Sequence, residues 1–215
     1  MISHNEVGYN FAKLHLNVDL FDYQKQIIGS ILDRDLRKVT IRACTRSGKS
    51  YTTAIAAIAY ACIYTNSRVG IIAPSKDKTK IIMNYILEML STSDLEEVID
   101  LDVMGLTRLE RLKREVSKTR ITFKNLSSIQ VLTADVKGKG FSVMGFSFDL
   151  TILDESAEIP EDVFAKIFRM LLENKKAKLV ELGNPWFLNH FYEHSLDPTW
   201  TIIKIGYKTC IDQGR

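Results

Sequence analysis

Few cysteines, few prolines, no long apolar run and no large excess of one charge set the first bounds on this chain of 215 residues. Cys44, Cys62 and Cys210 are scattered and odd in number, which argues against a disulfide framework. They read as reduced thiols of a cytoplasmic protein. No Pro/Gly-rich linker, repeat or low-complexity tract divides residues 1–215, so they read as a single domain with an N-terminal arm over 1–18. The longest apolar runs, such as Ala54 to Tyr64, are too short to span a membrane. The opening MISHNEVGYNFAKLHL lacks the charged and apolar regions of a signal peptide. A net charge of +3 neither argues for a nucleic-acid partner nor excludes one, because a local patch is enough.

What is present is a phosphate-loop pattern. Ala43-Cys44-Thr45-Arg46-Ser47-Gly48-Lys49-Ser50 follows the apolar run Val39 to Ala43 and opens the apolar-rich stretch Thr52 to Ile63. Strand, tight loop and helix form the context that a phosphate-binding loop requires. Backbone N–H groups over Thr45, Arg46, Ser47, Gly48, Lys49, Ser50 and Tyr51 can surround a polyphosphate, and the helix dipole favours its charge. Lys49 then reaches the β- and γ-phosphates and the Ser50 hydroxyl holds Mg²⁺. Ala43 stands where the usual pattern has its first Gly. Taken alone, the segment reads either as a degenerate phosphate loop for ATP or as a basic turn before a helix.

The remaining pattern alternates strand and helix. Residues 19–34 place Leu20, Tyr23, Ile27, Ile28 and Ile31 at helical spacing. Helices are also expected at Ser50–Tyr64, Asp77–Leu90, Leu106–Val116 and Glu161–Leu172. Strands are expected at Val39–Ala43, Arg68–Ala73, Asp149–Leu153, Lys178–Leu182 and Thr199–Ile205. Arg120–Lys124 and Ile129–Leu132 read as a hairpin. This order predicts an α/β fold with a mainly parallel central sheet, helices on both faces and ligands at the carboxyl ends of the strands.

Three further features bear on chemistry. Asp154-Glu155 ends the apolar run Leu150-Thr151-Ile152-Leu153. On a strand beside the phosphate-loop strand, Asp154 can hold Mg²⁺, and Glu155 can take a proton from an attacking water. The plainer alternative is a pair of acids capping the next helix. Gly183-Asn184-Pro185 ends another apolar strand, where Asn184 either faces the γ-phosphate side or forms an ordinary turn. Gln24 can donate to and accept from an adenine edge, with Phe21 or Tyr23 stacking on the base, or it is a surface glutamine. His190 and His194 are four apart but lack further ligands, so surface or core histidines are favoured over a metal pair.

Taken together, LFDYQKQII, RACTRSGKS, MGFSFDLTILDESAEIP and ELGNP resemble the N-terminal ATPase domain of the large terminase subunit of tailed bacteriophages and related viruses. The resemblance runs from about residue 20 to the end. It implies a RecA-like P-loop NTPase of the ASCE class that moves double-stranded viral DNA into a procapsid. It implies ATP and Mg²⁺ as cofactors, a homo-oligomeric ring (a pentamer), the portal protein and the small terminase subunit as partners, and the host cytoplasm as location. Carried over, Gln24 meets adenine, Lys49 the phosphates, Ser50 and Asp154 the Mg²⁺, and Glu155 activates water. Asn184, within Gly183-Asn184-Pro185, couples hydrolysis to movement, and Arg46 touches the γ-phosphate, acts as a switch or is an ordinary solvent-facing arginine.

Two departures qualify this. Met144-Gly145 stands where many members have an arginine before the glycine, leaving Lys137, Lys139 or another arginine for any action on a neighbouring subunit. The chain stops at Arg215, before any nuclease domain, so no DNA cleavage is expected of it. Arg108, Arg111, Lys113, Arg114, Lys118 and Arg120 either contact DNA phosphates or form a solvated helix face, the reading we favour because Glu110 and Glu115 are interspersed. The Lys137-Gly138-Lys139-Gly140 loop is a second DNA candidate or a lid. The competing functions are the first RecA-like domain of a helicase and a nucleotide-binding assembly module with little turnover.

Overall fold

The computed structural model describes residues 2–100, 119–134, 147–174 and 176–214. The expected helix Leu106–Val116, the basic residues from Arg108 to Lys118, the Lys137-Gly138-Lys139-Gly140 loop and Met144 lie outside the described residues.

Among the described residues seven strands form one sheet: β1 (Lys38–Ala43), β2 (Arg68–Ala73), β3 (Arg120–Thr122), β4 (Ser128–Thr133), β5 (Leu150–Asp154), β6 (Lys178–Gly183) and β7 (Thr201–Ile205). Their spatial order is β3-β4-β2-β5-β6-β1-β7. Among these described strands the β3–β4 pairing is antiparallel and the other pairings are parallel. All residues of β5 and β6 are buried, as expected of central strands covered on both faces. This is the mainly parallel α/β sheet expected from the pattern, and the RecA-like architecture that the resemblance implied.

The strand order corrects one expectation. The acidic strand β5 does not lie beside the phosphate-loop strand β1, because β6 runs between them. Register brings the two ends level nonetheless: Ile41, Leu182 and Asp154 align across β1, β6 and β5. Two strand spacings, about 10 Å, therefore separate β1 from β5. Chain separation does not tell which parallel strands adjoin, since each crossover can place its strand on either side.

Helices α2 (Asp22–Leu32) and α3 (Lys49–Ile63) flank β1 in sequence, and α4 (Lys76–Ser91) follows β2. Ala54 to Ala61 of α3 is almost fully buried, because short alanine side chains let the sheet and α2 approach closely. After β5 come α5 (Glu161–Glu173), the short α6 (His190–His194) and the terminal α7 (Tyr207–Asp212).

Residues 1–18, expected as an arm, contain helix α1 (His4–Leu16), which packs on α2 and buries Phe11 and Ala12. Ser3 and Glu6 close a capping box at its start, with the Glu6 carboxylate accepting from the Ser3 N–H at 2.9 Å. Gly8 allows the close packing, since a Cβ there would lie 2.4 Å from Ile28 Cγ2.

Candidate nucleotide site

The phosphate loop turns through two left-handed residues, Arg46 at φ 61° and Gly48 at φ 78°. Gly48 meets that demand without steric cost, whereas Arg46 carries a Cβ in a region disfavoured for it. Ala43 is different. It is still β-strand, paired with Ile205 of β7, so the position needs no glycine. The departure from the usual pattern therefore costs the loop no conformational freedom.

Tyr23 anchors the loop from beneath. Its hydroxyl donates to the Ser47 carbonyl at 3.0 Å, and its ring is buried. Of the two aromatic residues considered for stacking on a base, Tyr23 is thus excluded, while Phe21 lines the open cleft. Ser47 is itself buried, and its hydroxyl is packed inside rather than presented to the cleft.

The cleft has a volume of about 950 Å³. Thr45, Arg46, Gly48, Lys49, Ser50 and Tyr51 form one wall, and Gln24, Phe21, Tyr207 and Cys210 also line it. The first N–H groups of α3 have no partner within the helix, which suits this end to an anion. Gln24 is 3% exposed, so it is no surface glutamine. Its carbonyl accepts from the Phe21 N–H at 3.1 Å and its amide donates to the Thr52 hydroxyl at 3.0 Å. Thr52 in turn donates to the Gly48 carbonyl at 3.0 Å, tying Gln24 to the loop. Nothing in the periodicity singled out Thr52, because it reads as one more residue of the helix.

At the start of α3 the two halves of the site meet. Lys49 Nζ lies 2.8 Å from Glu155 Oε1, and the Ser50 hydroxyl donates to Asp154 Oδ2 at 2.9 Å. Asp154 is 2% exposed, and its Oδ1 has no partner among the described residues. Burial pushes the Asp154 carboxyl up to about 6; the Ser50 hydrogen bond opposes this and the Glu155 charge adds to it. A hydroxyl and a carboxylate with a spare buried oxygen are hard donors that fit Mg²⁺, which typically takes one or two carboxylates and completes its shell with waters and phosphates. Among the described residues no group of three or more His, Cys, Asp and Glu forms a protein-only metal cage.

Glu155 has a left-handed backbone, φ 54° and ψ 48°, at the turn out of β5. Asn184 sits half-buried at the end of β6, lining a separate pocket of about 440 Å³ with Arg42, Cys44, Pro185 and Lys204. The structure thus brings Lys49, Ser50, Asp154 and Glu155 into direct contact and places Asn184 on the neighbouring pocket. His190, buried, and His194, half-buried, share α6 and both turn toward the buried Glu181, an arrangement of packed histidines rather than a metal pair. Arg120, the described member of the basic stretch, is exposed and donates to the Ser128 hydroxyl at 3.4 Å. No helix among the described residues is long and apolar enough to cross a membrane.

Comparison with known proteins agrees with this geometry. A family model described as "Type III restriction enzyme, res subunit" matches residues 17–183. The large terminase subunit of Thermus phage G20c is 27% identical over 183 residues, covering 83% of this chain and 37% of that protein. The chain therefore spans little more than a third of that relative. The large terminase ATPase domain of Thermus phage P74-26 superposes with a TM-score of 0.72 at 19% identity, covering 94% of this chain and 87% of that one. The large terminase of the thermophilic bacteriophage D6E, solved with ATP-γ-S, gives 0.63 at 12% identity over 91% of this chain and 47% of that one. The resemblance to large-terminase ATPase domains that the motifs carry is thereby borne out.

Proposed function

The chain belongs to the family described as type III restriction enzyme, res subunit, and from its likeness to large terminases we propose that it is a Mg²⁺-dependent ATPase that drives movement of double-stranded viral DNA into a procapsid. One observation carries the ATPase part of the proposal: Lys49 and Ser50 of the phosphate loop contact Glu155 and Asp154 at 2.8 and 2.9 Å. A basic turn that merely capped a helix would have no reason to meet the paired acids of a distant strand.

In this reading ATP enters the cleft with its phosphates on the N–H groups of residues 45–51. Lys49 leaves Glu155 for the β- and γ-phosphates. Gln24 and Phe21 face the adenine. Ser50 and Asp154 would hold Mg²⁺, which when bound supplies positive charge against the phosphate oxygens. Glu155, released from Lys49, orients a water and accepts its proton as the water oxygen bonds to the γ-phosphorus. The bond from that phosphorus to the bridging oxygen breaks, and ADP and phosphate leave. Arg46, exposed on the loop, meets the γ-phosphate charge. Asn184, at the end of the strand next to β5, passes the change at Glu155 toward its own pocket.

The proposal takes DNA as the moved substrate, a homo-oligomeric ring, the portal protein and small terminase subunit as partners, and the host cytoplasm as setting, all from the resemblance to large terminases. The test is ATP consumption by the chain with Mg²⁺, with and without duplex DNA. Turnover that falls with Lys49→Ala and rises with duplex supports the reading. Tight ATP binding without turnover, with or without duplex, would make the chain a binding module.

A further inference from the structure

Beneath Glu155 lies a buried polar cluster that the proposed chemistry does not use. Ser156, next in the chain, is fully buried. Its hydroxyl lies 3.2 Å from His190 Nε2 and 3.4 Å from Glu181 Oε1. The other ring nitrogen, His190 Nδ1, lies 2.9 Å from Glu161 Oε1, which also accepts the His190 backbone N–H at 2.9 Å. A carboxylate only accepts, so Nδ1 carries a hydrogen and Nε2 is left to face Ser156. Glu181, also fully buried, is held on its second oxygen by His194 Nδ1 at 2.9 Å. Each imidazole stacks on an aromatic ring, His190 on Phe164 at 3.9 Å and His194 on Trp200 at 4.0 Å. Ser156, His190 and Glu161 have the spacing of a serine-hydrolase triad. With Ser156 fully buried, no substrate can reach its hydroxyl, so the cluster is not a second active centre.

Its position suggests another task. Glu155 is a non-glycine residue with φ 54°, a conformation that persists only where its surroundings hold it. The backbone then tightens into a 3₁₀ turn over Ser156–Glu158. Ser156 anchors the start of that turn to the core, while Asn189 Nδ2 donates to the Ala157 carbonyl at 2.9 Å and Lys78 Nζ lies 2.7 Å from Glu158 Oε1 further along it. The partner strand is seated equally closely: a Cβ on Gly183 would lie 3.3 Å from the Ser156 nitrogen and 3.5 Å from Glu155 Cα. Glu181 stands two residues before Gly183 and three before Asn184, on the same strand.

We propose that Ser156, His190 and Glu181 form a positioning relay that holds Glu155 left-handed, and so aims its carboxylate at the nucleotide, without touching the nucleotide themselves. This rests on Glu155 being the proton acceptor of the proposed ATPase. Without the Ser156 tether the backbone at residue 155 relaxes toward the right-handed or extended region. The carboxylate then swings from the water while the phosphate loop, Lys49 and Ser50 stay in place. Turnover falls and binding is kept.

The test is Ser156→Ala in the whole chain, a substitution that deletes one oxygen. ATP-binding stoichiometry, KM and kcat are measured beside wild type and Glu155→Gln. The expected result is full stoichiometry, KM within about twofold, and kcat lower by about tenfold to a hundredfold, the size of a small misplacement of a catalytic group. A purely structural role would lower stoichiometry and melting temperature and leave kcat per bound site unchanged. Full stoichiometry with kcat within about twofold of wild type overturns the relay. If Ser156→Ala does not fold, Glu181→Gln keeps the shape of the site and is read by the same three quantities. Turnover by Glu155→Gln at the wild-type rate would instead remove the base itself, a failure distinct from that of the relay.

Discussion

Lys49 and Glu155 are each other's partner, with Nζ and Oε1 2.8 Å apart and both side chains largely withdrawn from solvent. The cation that best fits the phosphates and the acid that best fits the water thus neutralise one another through a single contact. ATP competes with Glu155 for Lys49, and by winning it frees the carboxylate. Binding and readiness for hydrolysis are coupled through one ion pair.

The competition has a measurable consequence for binding. Glu155→Gln removes the rival for Lys49 and a negative charge near the phosphates. ATP affinity measured by calorimetry should rise about threefold to tenfold, the scale of a partly screened ion pair. Weaker binding by Glu155→Gln would mean that the pair organises the site rather than competing with the nucleotide.

Asp154 sets the acid limit of activity. Its carboxyl, pushed up to about 6 mainly by burial, takes a proton as pH falls through that value and loses the charge that suits it to Mg²⁺. A profile of kcat/KM, which reports the free protein, should fall below about pH 6, and higher Mg²⁺ should move the fall to lower pH by competing with the proton. A profile flat from about pH 7 to about pH 5, roughly one unit either side of that value, would contradict this assignment.

The same residue costs stability. A carboxyl raised from 3.8 to about 6 on folding disfavours the folded state above that range, by about 3 kcal/mol. The folded chain binds the extra proton between these values, so the cost is complete above about 6 and disappears below about 3.8. Asp154→Asn should therefore raise unfolding free energy at neutral pH, with the gain shrinking as pH falls through that window. Urea titrations at several pH values measure it; a gain that does not depend on pH would point to packing instead.

Ala43 tests the departure in the phosphate loop. Because Ala43 is strand, Ala43→Gly should leave ATP affinity within about twofold and lower stability by roughly 0.5–1 kcal/mol through backbone entropy. A large gain in affinity would show that the usual glycine does something the loop here lacks.

Much of the site was legible because its residues adjoin in sequence. Gly48-Lys49-Ser50 and Asp154-Glu155 are local signals, each at the end of a buried strand, and the structure brings them into contact. Strand order was not legible, so β6 was missed as the separator of β1 and β5. Helix α1 was missed although Ser3 and Glu6 spell a capping box, because Gly8 weakens the helical pattern at a point that the packing on Ile28 requires. Tyr23 looked like a stacking ring and is instead a loop anchor, since no spacing rule shows where a phenol hydroxyl points. The cluster of Ser156, Glu161, Glu181, His190 and His194 comes from three separate stretches of chain, and only the fold joins it.

The central claim is that Glu155 takes the proton during Mg²⁺-dependent ATP hydrolysis at this cleft. Its most direct test is phosphate release by wild type and Glu155→Gln at saturating ATP and Mg²⁺, with binding measured on the same samples. The account expects full ATP binding by both proteins and a rate for Glu155→Gln lower by about 10²-fold or more. Equal turnover by the two proteins would contradict it.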